Sequence, residues 1–96
     1  MFVIELNYVK PLSGVDAHLD DHRAFLSEHY TNGTFLASGP KEPRTGGIIL
    51  ARSSSQSELA ATLALDPFQV HQVAEYRITQ FHVRAAGHGF EQLVGV

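Results

Sequence analysis

Residues 2 to 9, FVIELNYV, set the strongest constraint on how this chain can fold. Phe2, Ile4, Leu6 and Tyr8 alternate with Val3, Glu5, Asn7 and Val9. A period of two puts the first set on one side of an extended strand, giving it one strongly apolar face. Such a face needs a partner layer. The remaining elements must supply it, because 96 residues make one domain that buries only about 60–65% of its unfolded surface.

The rest of the chain alternates between helix and strand signals. Pro11 and Gly14 end the first strand. Residues 16 to 31 read as one helix, with Ser13 and Asp16 as candidate caps. On a wheel of about 100° per residue, Val15, Leu19, Leu26 and Tyr30 share a side, with Phe25 at its edge. Asp16, Asp20, Asp21 and Glu28 fall opposite. His18, His22 and His29 lie in the apolar sector, with His22 near its centre.

TFLASGP reads as a second strand and GIILAR as a third. Ser55 stands three residues before Glu58, the capping-box spacing for a second helix. Asp66-Pro67 closes that helix, or starts a short further turn with Asp66 as its cap. AEYRITQFHV is the fourth strand, and the segment after it carries Gly87 and Gly89. The expected order is β-α-β-β-α-β: an α+β, ferredoxin-like domain with a four-stranded antiparallel sheet and its helices on one face. One domain spans 1–96, with a core at about 2–84 and a tail at 85–96. The other sheet face also carries apolar residues. A homodimer packed sheet to sheet is therefore expected, and assembly beyond the dimer stays open.

Composition narrows the function. A net charge of −3 with no basic stripe gives no case for nucleic acid. Without cysteine, thiolate nucleophiles and cysteine metal sites are excluded. No run approaches the ~20 apolar residues of a membrane span. The first residues read as a strand and not as a signal peptide. The expected location is the cytoplasm.

Taken in order, DDHRAFL, LASGP, GGIIL, LDPF and VAEYRITQF resemble the YciI-like (YCII-related) domain family over about residues 2 to 84. The resemblance implies a dimeric α/β barrel built from ferredoxin-like protomers. It implies a pocket holding a histidine and an aspartate, here His22 and Asp66, with Ser38 on its lining. The nearest assigned chemistry is lyase-like dehydrochlorination, in a superfamily that also holds muconolactone-type isomerases and small monooxygenases. His18 and His29 depart from the pattern by flanking the family position.

Read on its residues, His22 is either a hydrogen-bonded core histidine or a general acid–base. Asp66 is a helix cap, a charge partner that orients His22, or both. Ser38 and the backbone near Gly39 can bind developing negative charge. Tyr8 and Phe68 are pocket walls or plain core. Arg44 and Arg52 are surface cations or contacts for an acidic substrate at the pocket mouth. His18 and His22, four apart, admit a metal reading; no metal and no other cofactor is expected. His71, His82 and His88 read as surface positions. The function expected is cofactor-free acid–base chemistry on a small molecule, whether elimination, isomerisation or hydrolysis. The alternative is a non-catalytic ligand-binding or assembly domain that keeps the pocket.

Overall fold

The computed structural model describes residues 1–96. Strand β1 (Phe2–Tyr8) lies inside the sheet, flanked by β3 (Gly46–Ala51) and β4 (Ala74–Gln80), while β2 (Phe35–Pro40) pairs with the outer side of β3. The order is β2-β3-β1-β4 and every pairing is antiparallel. Ile4 pairs with Ile49 on one side and Ile78 on the other, and Leu6 with Gly47 and Tyr76. Directly paired residues point to the same face. The alternation of β1 therefore continues across the sheet as one buried surface.

That surface is covered by α1 (Leu12–Asp16), α2 (Leu19–Thr31), α3 (Gln56–Leu63) and α4 (Pro67–Val70). Val15, Phe25, Leu59, Leu63 and Phe68 from these helices join Phe2, Ile4, Leu6, Ile49 and Ala51 in one core cluster. The ferredoxin-like arrangement is thus present, with all helices on one face.

Some boundaries differ from the sequence reading. The helix expected over 16–31 begins only at Leu19, and a separate short helix, Leu12–Asp16, precedes it. At Ala17–His18 the ladder tightens, with the His18 amide donating to the Val15 carbonyl at 3.0 Å, and His18 leaves the helical region at φ −115°, ψ 8°. Neither Ser13 nor Asp16 caps a helix: Pro11 and His18 hold the N-cap positions, without side-chain capping bonds. Ser55 does cap α3, accepting from the Glu58 amide at 3.2 Å. The fourth strand stops at Gln80. Beyond it the chain turns back on itself, with the Gly95 amide donating to the Val83 carbonyl at 3.0 Å.

Gly46 shows how tightly the sheet is built. A Cβ there would lie 1.7 Å from the Leu6 carbonyl oxygen, so only glycine allows β3 to approach β1. Strand β2 carries a bulge between Phe35 and Ala37. Phe35 pairs with Ala51 and, past the bulge, Ser38 pairs with Ile49. Strict alternation would have turned Ser38 to the face opposite Phe35. The extra residue returns it to the helix-covered side.

The open face of the sheet carries Val3 paired with Leu50, and Ile48 paired with Glu5. Lys41 crosses it, 3.1 Å from Glu5 and donating to Asn7 at 2.6 Å. The Lys41 hydrogen bond to the Glu5 carboxylate, then that from Asn7, holds the Glu5 carboxyl below the usual carboxylate range. No helix is long and apolar enough to cross a membrane.

Candidate active site

His22 lies one turn into α2, on the side that faces the sheet, and is buried. Asp66 arrives from the other helical arm. Its backbone is extended at φ −62°, ψ 126°, as required before Pro67, and its Oδ1 caps α4 by accepting from the Phe68 amide at 3.0 Å. The same Oδ1 lies 2.8 Å from Nδ1 of His22. Capping and pairing therefore coexist in one carboxylate.

The second oxygen is also taken. Tyr76, projecting from β4, donates its hydroxyl to Asp66 Oδ2 at 2.5 Å. Asp66 is wholly buried, and no buried side-chain polar atom is left without a partner. This is how a charged side chain is tolerated in a core. Tyr76 was missed in the sequence because Tyr76 and Ile78 read there as ordinary alternation of an apolar strand. Burial first, then the neighbouring Asp66 charge and its hydrogen bond, pushes the Tyr76 phenol far above its usual range. It remains a donor.

These contacts fix the state of the imidazole. A carboxylate can only accept, so the nitrogen facing it must carry the proton. Neutral His22 is then the Nδ1–H tautomer, with an unprotonated Nε2. The ring also lies flat on Phe68, with centroids 3.9 Å apart and planes 5° apart. It is held by a hydrogen bond at one edge and by stacking across its face.

His22 forms part of the wall of a cavity of about 380 Å³ between α2 and the β2–β3 side of the sheet. Tyr8, Ser38, Gly39 and Phe68 line it as well, so five of the six residues singled out meet at one space. Asp66 does not touch that space; it stands behind His22. Leu6, Leu19, Leu26 and Ile49 supply apolar walls. Tyr8 meets Phe68 edge to face at 6.0 Å, so both are wall and core at once. Ser38 is held by a hydrogen bond to the Tyr30 hydroxyl. Arg44 lines the cavity, while Arg52 is spent elsewhere, donating to the Gly33 carbonyl at 3.1 Å.

The flanking histidines have other partners. His18 stacks on His71 with centroids 3.9 Å apart, and His71 is exposed at the surface. His29 packs beside Phe25 and Phe35 and bonds Asn32 at 3.0 Å.

The cavity has the small size of a metabolite site, at the low end of the roughly 300–1,000 Å³ usual for ligand pockets. An imidazole on the cavity wall, backed by a buried carboxylate, is a group suited to moving a proton.

Comparisons with known proteins agree with this architecture. A solved structure of 5-chloro-2-hydroxyhydroquinone dehydrochlorinase (TftG) from Burkholderia phenoliruptrix AC1100, in complex with 2,5-dihydroxybenzoquinone, superposes with a TM-score of 0.64. It shares 16% identity, over 86% of this chain and 95% of that one. The likeness establishes the fold. A search of curated proteins returns no match. The family model of the YCII-related domain matches residues 1–82, and the chain therefore belongs to the YCII-related domain family.

Proposed function

We propose that this protein is a small-molecule enzyme that uses His22 as a general acid–base, oriented by Asp66, without a cofactor. The observation that carries the reading is the 2.8 Å contact between His22 Nδ1 and Asp66 Oδ1 behind a cavity that His22 itself lines. Nε2 accepts a proton from a C–H or O–H group of the bound molecule. The electron pair of that bond moves into the adjacent conjugated system and expels a leaving group or shifts a double bond. The imidazolium formed is stabilised by the carboxylate and returns its proton to the leaving group or to a new carbon. The Ser38 hydroxyl, on the cavity lining, donates to an oxygen that gains charge.

The dehydrochlorinase likeness suggests which reaction to try first, elimination of chloride from a hydroxylated aromatic ring. The protein acts as a homodimer joined through the open sheet face, where Val3, Ile48 and Leu50 otherwise meet water.

The test is chloride release from 5-chloro-2-hydroxyhydroquinone, followed by a panel of related halogenated and hydroxylated rings. With a turned-over compound in hand, His22→Ala should lower kcat by at least about 100-fold, the usual contribution of a general acid–base. Asp66→Asn should lower it by a smaller factor. Full turnover in both folded variants would end the proposal. Binding without turnover across the panel would favour a non-catalytic ligand-binding domain.

A further inference from the structure

The cavity is unlike the rest of the chain in its charge. The protein has 10 acidic and 7 basic side chains and a net charge of −3. Yet Arg23 and Arg44 line the cavity, and no aspartate or glutamate does. The two arginines are not equivalent. Arg23 is largely exposed and lies 3.8 Å from Asp20, its i−3 neighbour on α2. Arg44 is better fixed. It stands on the segment between β2 and β3, half-buried, with its guanidinium carbon 5.9 Å from the Tyr8 ring centroid. Its Nη2 donates to Asp16 Oδ1 at 2.5 Å.

With Asp16 and the Tyr8 hydroxyl as its side-chain partners, most of the guanidinium's five donors are uncommitted. Asp16 holds the group from the α1 side, and Arg44 also lines the cavity. A planar, permanently charged fork with free N–H groups beside apolar walls matches a carboxylate or a delocalised phenolate in shape and charge. Lys41, the nearest other cation in sequence, is engaged by Glu5 and Asn7 across the sheet and does not line the cavity.

We propose that the cavity selects small organic anions and that Arg44 binds the anionic group, leaving the ligand's body against Tyr8, Phe68 and the His22 edge. This rests on the reading above that the cavity is the substrate site, and it adds the charge class of the substrate.

Benzoate and benzamide are matched probes: the same flat ring, with and without charge. Their binding is read by chemical-shift titration of isotopically labelled protein, following resonances of Tyr8, His22, Ile49 and Phe68. Benzoate should bind about tenfold more tightly than benzamide, the size of one charge-assisted hydrogen-bond pair. Arg44→Gln should abolish that preference, benzoate affinity falling to that of benzamide, and Arg44→Lys should restore part of it. Asp16→Asn, which removes the internal carboxylate competing for Arg44, should tighten benzoate binding. Equal affinity for the two probes, a preference that survives Arg44→Gln, or no response of the cavity resonances to benzoate would each overturn the assignment. The ligand-free tautomer of His22 reports separately on the proton-transfer reading. Loss of one result with survival of the other therefore shows which of the two claims fails.

Discussion

The carboxylate of Asp66 holds the imidazole of His22 at 2.8 Å across 44 residues of sequence, tying α2 to the start of α4. The same oxygen caps α4 at the Phe68 amide, and the Phe68 ring is the surface on which His22 stacks. One three-residue segment, Asp66-Pro67-Phe68, therefore fixes both the edge and the face of the candidate base. Tyr76 completes the set from the sheet.

The Tyr76 hydroxyl should be felt in stability. Tyr76→Phe leaves Asp66 Oδ2 buried without its donor, at a cost of about 1–3 kcal/mol. In a domain this size each kcal/mol lowers Tm by roughly 4–8 °C, which a thermal melt followed by circular dichroism resolves. The pH dependence has a definite sign. The folded phenol titrates above the ordinary value of about 10, because of burial first and then Asp66. Its contribution is fully present below pH ~10 and is lost as pH rises toward the folded value, since the unfolded chain releases the proton first. Stability should fall above pH ~10 more steeply in the wild type than in Tyr76→Phe. Ultraviolet titration should show one of the three tyrosines ionising only on unfolding.

Gly46 should tolerate no side chain. A methyl group there meets the Leu6 carbonyl oxygen at 1.7 Å, backbone against backbone, with no flexible atom to yield. Gly46→Ala should cost about 3 kcal/mol or force β3 away from β1. Gly87→Ala, where nothing lies within 4 Å, should stay within about 0.5 kcal/mol of the wild type. Denaturant unfolding of the two variants makes the comparison.

Most of the fold could be read from the chain, and the reason is physical. Alternation in Phe2, Ile4, Leu6 and Tyr8 needs a covered sheet, and the helical stripe of Val15, Leu19 and Leu26 supplies cover. The site was legible where local chemistry was unusual: a histidine on an apolar helix face, and an aspartate before proline. It was not legible where side chains meet only through pairing. The bulge in β2 that turns Ser38 inward, the reach of Tyr76 to Asp66, and the His18–His71 stack all depend on register between distant segments. The break at His18 was hidden because α1 and α2 keep nearly the same apolar periodicity across it.

Assembly is tested on the open face. Light scattering coupled to size-exclusion chromatography should give twice the 10.5 kDa protomer mass at micromolar concentration. Val3 and Leu50 pair there, away from the helix-covered side. Leu50→Asp should place a charge in the proposed interface and shift the protein to monomer while leaving its circular dichroism spectrum intact. A monomeric wild type would remove the sheet-to-sheet dimer.

The measurement closest to the central claim is the tautomeric state of His22, read from the ring nitrogen shifts of labelled protein at a pH where the imidazole is neutral. The account expects the Nδ1–H form in the wild type, with Nε2 unprotonated and available to the cavity, and loss of that fixed preference in Asp66→Ala. A wild-type His22 that carries its proton on Nε2 would contradict it. Asp66 would then not be orienting the imidazole as a carboxylate acceptor, and the cavity would lack the base on which the proposed chemistry depends.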